Sequence, residues 1–190
     1  MAHIQLEAHL PGVTGLLEYR KDTAEPLREL TQILLRGEST LTEAERELIA
    51  TAVSGKNECV YCTTSHAAAA DAYFGSDEVS KKVREDYQTA PVSDKMKALL
   101  TIALQAQESG KNVTAQSVEK ARQAGASDRE IHDTVMIAAL FCFYNRYVDG
   151  LGTFAPSDPV YYAEMAQRLK EKGYHRPVQG YDQLKDKQYA

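Results

Sequence analysis

The sequence predicts an all-α fold of about eight helices, on three observations. Apolar residues recur at three- and four-residue intervals along most of the chain. Capping boxes, prolines and glycines cut it into helix-length pieces. Alternating apolar and polar runs of the kind that make strands are scarce.

Taken in order, the first helix follows Glu25-Pro26, with Leu27, Leu30, Ile33 and Leu34 as its apolar stripe and Gly37 as its stop. Thr42 and Glu45 form a capping box that opens a second helix, with Leu48, Ile49, Ala52 and Val53 facing inward as far as Gly55. Asn57 is placed to cap a third helix, which carries Cys59, Cys62 and His66 through an alanine stretch to Gly75. A short helix is expected from Asp77 to about Tyr87. Ser93 or Asp94 caps the next, with Met96, Leu99, Leu100, Ala103 and Leu104 on its core side. Thr114 to Ala124 reads as a short helix closed by Gly125. Ser127 and Glu130 form a second box, opening a helix whose run from Val135 to Phe143 is apolar on every face. That run is too short to span a bilayer, so it is expected to be a central buried helix, or to line an interface in an oligomer. Asp158-Pro159 opens the last helix, ended by Gly173.

One domain is expected over residues 1–190, with its core at about 25–173 and a polar, aromatic tail at 174–190. Disorder and an arm wrapped on a neighbouring subunit are both open for that tail. The segments 42–66 and 127–151 align at a constant offset, which points to an internal helical-pair repeat. The net charge of −5 comes without a clustered basic face, which argues against nucleic acid. No apolar run reaches the ~18 residues of a membrane span. The N-terminus lacks the basic start and apolar stretch of a signal peptide, so the expected address is the cytoplasm.

Three cysteines, Cys59, Cys62 and Cys142, are too few and uneven for a secreted disulfide framework. Their context points to redox chemistry. On a helix, Cys59, Cys62 and His66 share one stripe, and Cys62 and His66 are an i,i+4 pair. A neighbouring base or cation lowers a thiol from about 8.5 towards neutrality, and the thiolate is the attacking species. Two cysteines three residues apart can close a disulfide once one is oxidised. Glu47, at the edge of its helix's apolar stripe rather than on the polar face with Glu43 and Arg46, is the candidate to orient His66. A βαβ thioredoxin-like fold is set aside, because no pair of glycine-bounded strands precedes the motif.

Glu47, eleven residues, then Cys59-x-x-Cys62-x-x-x-His66 resembles the signature of the carboxymuconolactone decarboxylase/alkylhydroperoxidase D (AhpD-like) superfamily. The stretch from Asn145 through Arg146, Asp149, Gly150 and Leu151 to Gly152 is similar to that of its peroxidase-related branch. The resemblance covers roughly residues 25–155. It implies an AhpD-like helical bundle, assembly into homo-oligomers (trimers or hexamers), and reduction of hydroperoxides through the cysteine pair without a bound cofactor. It also implies Cys62 as the attacking thiol, Cys59 as the resolving thiol, Glu47 and His66 as a proton relay, and an external dithiol or thiol-protein as reductant. The chain departs from better-characterised members at Tyr61, where they carry histidine. A phenol titrates near ~10 and is no base at neutral pH, so the reductant stays open.

The residues alone leave the attacking thiol undecided, since Asn57 as cap would put Cys59 in the first turn, where the helix dipole favours a thiolate. A non-peroxidatic thiol–disulfide oxidoreductase or redox sensor is the alternative. Zinc on Cys59, Cys62, His66 and a carboxylate, or a purely structural helical assembly, come after it; a structural zinc site usually draws on two separated segments. Cys142 is expected to be inert core and His132 to sit on a helix surface or at an interface. His3, His9 and His175 carry no pattern. Arg146 and Asp149 are expected to pair and tie two helices together.

Overall fold

The computed structural model describes residues 2–176 together with Tyr181, Leu184 and Lys185. Among them the chain is all-helical, as expected. The helices are α1 (Gly12–Tyr19), α2 (Lys21–Arg36), α3 (Glu43–Lys56), α4 (Val60–Phe74), α5 (Glu78–Asp86), α6 (Asp94–Glu108), α7 (Ala115–Gln123), α8 (Asp128–Gly150) and α9 (Pro159–Lys172), with a 3-10 turn at Gly110–Asn112. The eight expected helices are present. The additional one, α1, has only eight residues and no side-chain cap, so neither periodicity nor a cap announces it. α2 starts before Pro26, which lies inside the helix and forgoes the bond of its own missing N–H.

Side-chain caps set the other boundaries. Thr42 and Glu45 bond reciprocally at the start of α3, as do Ser127 and Glu130 at the start of α8. Ser93 accepts the Met96 N–H, and Asp158 accepts that of Val160.

The core has two parts. In the larger, α3 packs on α4, α6 and α8, and α6 packs on α8. Leu35, Leu48, Ile49, Met96, Leu100 and Ile137 are fully buried there, each stabilising the fold by roughly 1.5–3 kcal/mol. The smaller part gathers Leu10 and Leu16, the cysteine pair with Tyr61, Val148 from α8, Tyr161 and Tyr162 from α9, and Tyr181 and Leu184. The candidate redox residues therefore belong to a tyrosine-rich second core, packed between α4 and α9.

Four expectations change. Ile33 is 51% exposed, and the inner stripe of α2 is instead Ala24, Thr31, Leu34 and Leu35. The run Val135–Phe143 is not enclosed on every face: Ala139 points outward and Phe143 is 47% exposed. Arg46 is buried, because the carbonyls of Leu34 and Gly37 at the end of α2 accept from its guanidinium. The two capping boxes of the internal echo form, but α8 continues unbroken where α3 and α4 are separated by a turn, so the helical pair is not repeated. Of the tail, Tyr174 packs on its own chain and Tyr181 and Leu184 are buried in the second core; the rest of 174–190 beyond His175, Arg176 and Lys185 lies outside the described residues.

Candidate active site

The turn between α3 and α4 delivers the cysteines. Asn57 does not cap α4; it is the C-cap of α3, and Cys59 is the N-cap of α4. The Asn57 amide is engaged elsewhere, donating to Asn145 Oδ1 at 2.8 Å and accepting from Gln107 Nε2 at 2.7 Å. Glu58, between them, adopts φ +60°, the left-handed region that non-glycine residues rarely occupy. The Cys59 N–H donates to the Ser54 carbonyl at 3.1 Å, which ties α4 back to α3.

Both thiols of the pair are free and enclosed, Cys59 at 0% and Cys62 at 3% exposure. The neighbouring Cys59 thiol first, and burial second, push the Cys62 thiol well above its ordinary value, while the Asn145 amide pulls against them. The expected proton sharing between Cys62 and His66 is not formed: among the described residues no hydrogen bond joins the two, and the imidazole turns its Nδ1 to Glu47.

Glu47 is fully buried, not half-buried at a stripe edge. Its Oε2 lies 2.6 Å from His66 Nδ1. Its Oε1 accepts from the Tyr174 hydroxyl at 2.7 Å and forms an ion pair with Arg36 at 2.6 Å. Burial alone would raise the Glu47 carboxyl, but His66, Arg36 and Tyr174 together hold it below its ordinary value. A carboxylate only accepts hydrogen bonds, so Nδ1 carries a proton and Nε2 is the ring nitrogen left to give or take one. The ring is further fixed edge-on to Phe141, with centroids 4.4 Å apart, and stacked near Tyr174 at 6.3 Å. Burial first, and Glu47 next, raise Tyr174 far above its usual value, so it remains a phenol and a donor.

Cys62 and His66 face a cavity of about 90 Å³ that Cys59 does not line. Ser65, between them in sequence, also lines it, and its buried hydroxyl has no partner. Tyr61, Phe141 and Tyr144 form apolar walls. Tyr61 is pushed further from acid–base use by burial and by Tyr161, whose hydroxyl lies 3.0 Å from its own. Gly12, at φ +54°, lies flat on the Tyr61 ring; a Cβ there would stand 2.3 Å from ring carbons.

The structure thus gathers Cys59, Cys62, His66 and Glu47 in one region and adds four residues that sequence reasoning missed in this role: Arg36, Tyr174, Ser65 and Asn145. Asn145 had a signal, since it opens the stretch singled out beside Arg146 and Asp149. The expected Arg146–Asp149 pair is not formed; Arg146 is exposed and donates to the Cys142 carbonyl. Asn145 turns inward to Ser54 and Asn57. Cys142 is half-buried rather than core, 3.6 Å from Asn57 Nδ2. His132 is on the surface, against Asp133. Among the described residues no three His, Cys, Asp or Glu side chains are gathered to hold a metal ion, and no helix is long and apolar enough to cross a membrane.

Residues 21–78 match the model of the Carboxymuconolactone decarboxylase family, a span that includes Glu47, Cys59, Cys62 and His66. No curated protein matches the chain. The fold is similar to that of an alkylhydroperoxidase AhpD core, a peroxidase-related protein from Ralstonia eutropha JMP134, with TM-score 0.74 and 27% identity over 83% of this chain and 81% of that one. A peroxidase-related protein from Silicibacter sp. TM1040 superposes with TM-score 0.73 at 25% identity, covering 80% of this chain and 78% of that one. A protein of unknown function from Agrobacterium tumefaciens that carries the AhpD name shares the fold alone, with TM-score 0.67 at 17% identity, over 83% of this chain and 100% of that one.

Proposed function

We propose that the chain, whose residues 21–78 match the Carboxymuconolactone decarboxylase family model and whose fold is similar to that of an alkylhydroperoxidase AhpD core, is a cysteine-dependent peroxidase of that superfamily. The observation that carries the reading is the unequal access of the two thiols: Cys62 faces the cavity with His66, and Cys59 lies fully enclosed behind it. This favours Cys62 as the thiol that meets peroxide and Cys59 as the one that resolves, although Cys59 holds the helix N-terminus.

In the proposed cycle, His66 Nε2 takes the Cys62 proton as the sulfur attacks the terminal peroxide oxygen. The O–O bond breaks, the alkoxide takes a proton from His66, and the products are an alcohol and a Cys62 sulfenic acid. Cys59 then attacks the Cys62 sulfur, forming the disulfide and releasing water. An external dithiol returns both thiols. Because burial and Cys59 hold Cys62 protonated, the base is needed at the moment of attack, and Glu47 supplies the counter-charge when His66 becomes cationic. Exchange with a protein disulfide would require an exposed sulfur, so the 3% exposure of Cys62 favours a small oxidant.

The test is a thiol count before and after one equivalent of hydroperoxide, with mass mapping of the product. Loss of two thiols and a Cys59–Cys62 disulfide are expected, with Cys62→Ser abolishing peroxide consumption. Full activity in that variant would reject the assignment.

A further inference from the structure

The cavity that Cys62 lines also has a cationic lining. Arg28 from α2, Arg168 from α9 and Arg176 beyond it all line it, and among the described residues no aspartate or glutamate does. Arg28 and Arg176 also line an outer cleft beside Glu18 and Glu29, which puts them at the cavity's boundary with the surface. Arg28 is already paired, 2.8 Å from Glu18. Arg168 is not paired with any carboxylate among the described residues: its guanidinium donates to the His175 carbonyl at 3.4 Å, and its buried Nε–H has no acceptor. The Arg28 Nε–H is likewise buried without one. Burial, and then the neighbouring Arg176, bring Arg168 down to about 10. A guanidinium in such a setting is completed by an anion, most economically a carboxylate held by two parallel N–H bonds.

The same lining offers Cys62, His66 and the unpartnered Ser65 hydroxyl, together with the apolar Leu17, Phe141, Met165 and Leu169. A ligand for this space therefore combines an anionic group for the arginines, a reactive group for Cys62 and an apolar part for the aliphatic and aromatic lining. The volume of about 90 Å³ holds about six water-sized groups, which suits a short chain and not a fatty acyl tail.

We propose that the cavity takes a small organic hydroperoxide that also carries a carboxylate, with the acid group on Arg168 beside Arg28 and the peroxide end at Cys62 and Ser65. This rests on the peroxidase reading and adds to it a substrate class. The carboxylate is unchanged by the reaction, which ends at the hydroxy acid.

The test compares β-hydroperoxyisovalerate with its primary amide, which has the same shape without the charge. In the wild-type protein the acid should oxidise Cys62 with a kcat/KM at least about tenfold above that of the amide, the ratio expected for a charge-assisted pair. Arg168→Gln should bring that ratio towards one. Calorimetric titration with the product acid, β-hydroxyisovalerate, reads the same site without turnover and should show binding that weakens in Arg168→Gln. Equal rates for acid and amide in the wild-type protein, with no binding of the product acid, would overturn the carboxylate site and leave the peroxidase reading intact. Arg168-dependent binding of the product acid with no Cys62 oxidation by either peroxide would overturn the peroxidase reading and the substrate class with it. Selectivity seen only when an anionic dithiol re-reduces the disulfide would assign the arginines to the reductant and overturn the proposal.

Discussion

Glu47 has no exposed surface and is held from three places: by an ion pair with Arg36 at the end of α2, and by hydrogen bonds with His66 in α4 and Tyr174 after α9. A buried carboxylate this well satisfied is costly to disturb, because removing its charge leaves Arg36 buried without its partner. Glu47→Gln is expected to destabilise the protein by about 3 kcal/mol and to lower the rate of Cys62 oxidation, measured by urea unfolding and by peroxide-dependent thiol loss. A variant as stable and as fast as the wild type would refute both roles. At this scale the sequence was legible where spacing is local. Cys59, Cys62 and His66 fall on one stripe by number alone, and Glu47 stood out for lying off the polar face. Arg36 and Tyr174 were not legible, because an arginine in a last helical turn and a tyrosine after a glycine read as solvated until the chain is folded.

The elements were legible through their ends. The capping boxes at Thr42 and Ser127, and the glycines at Gly75 and Gly173, stand where the sequence put the boundaries. The turn between α3 and α4 was misread, since Asn57 is a sound cap by type and loses that role to a tertiary hydrogen bond with Asn145. What the turn requires is a left-handed residue, and the chain supplies an exposed glutamate with φ +60° at Glu58. Glycine adopts that conformation without strain, so Glu58→Gly should raise stability by about 1 kcal/mol, read as a higher urea midpoint at unchanged slope. A lower midpoint would mean that the side chain, not the backbone, fixes the turn.

Across the whole molecule, α6 and α8 are joined by a buried carboxylate as well as by apolar packing. Burial alone would raise the Glu130 carboxyl, but Lys95 at 2.7 Å, the Ser127 amide and Thr40 bring it down to about 2. Its ordinary unfolded value is ~4.3. The stabilisation it supplies is therefore complete above that pH and is lost as pH falls towards 2. Glu47, also lowered, adds to the loss in the same direction. Unfolding free energy measured down this range should fall with pH, and Glu130→Gln should flatten the slope; an unchanged slope would assign acid sensitivity to other groups. The all-α class and the main core were readable at this scale from periodicity. The second core was not, because Leu10, Val148, Tyr162 and Tyr181 come from segments far apart in the chain.

Tyr174 reaches His66 across 108 residues of sequence. During synthesis the helices that carry the thiols leave the ribosome well before the tyrosine that completes the Glu47 cluster and the arginines that line the cavity from α9 onward. A nascent chain can thus hold a folded cysteine pair with an unfinished relay. Competence for the proposed chemistry would then arrive only once α9 and Tyr174 have emerged, as a property of that later segment rather than of the motif.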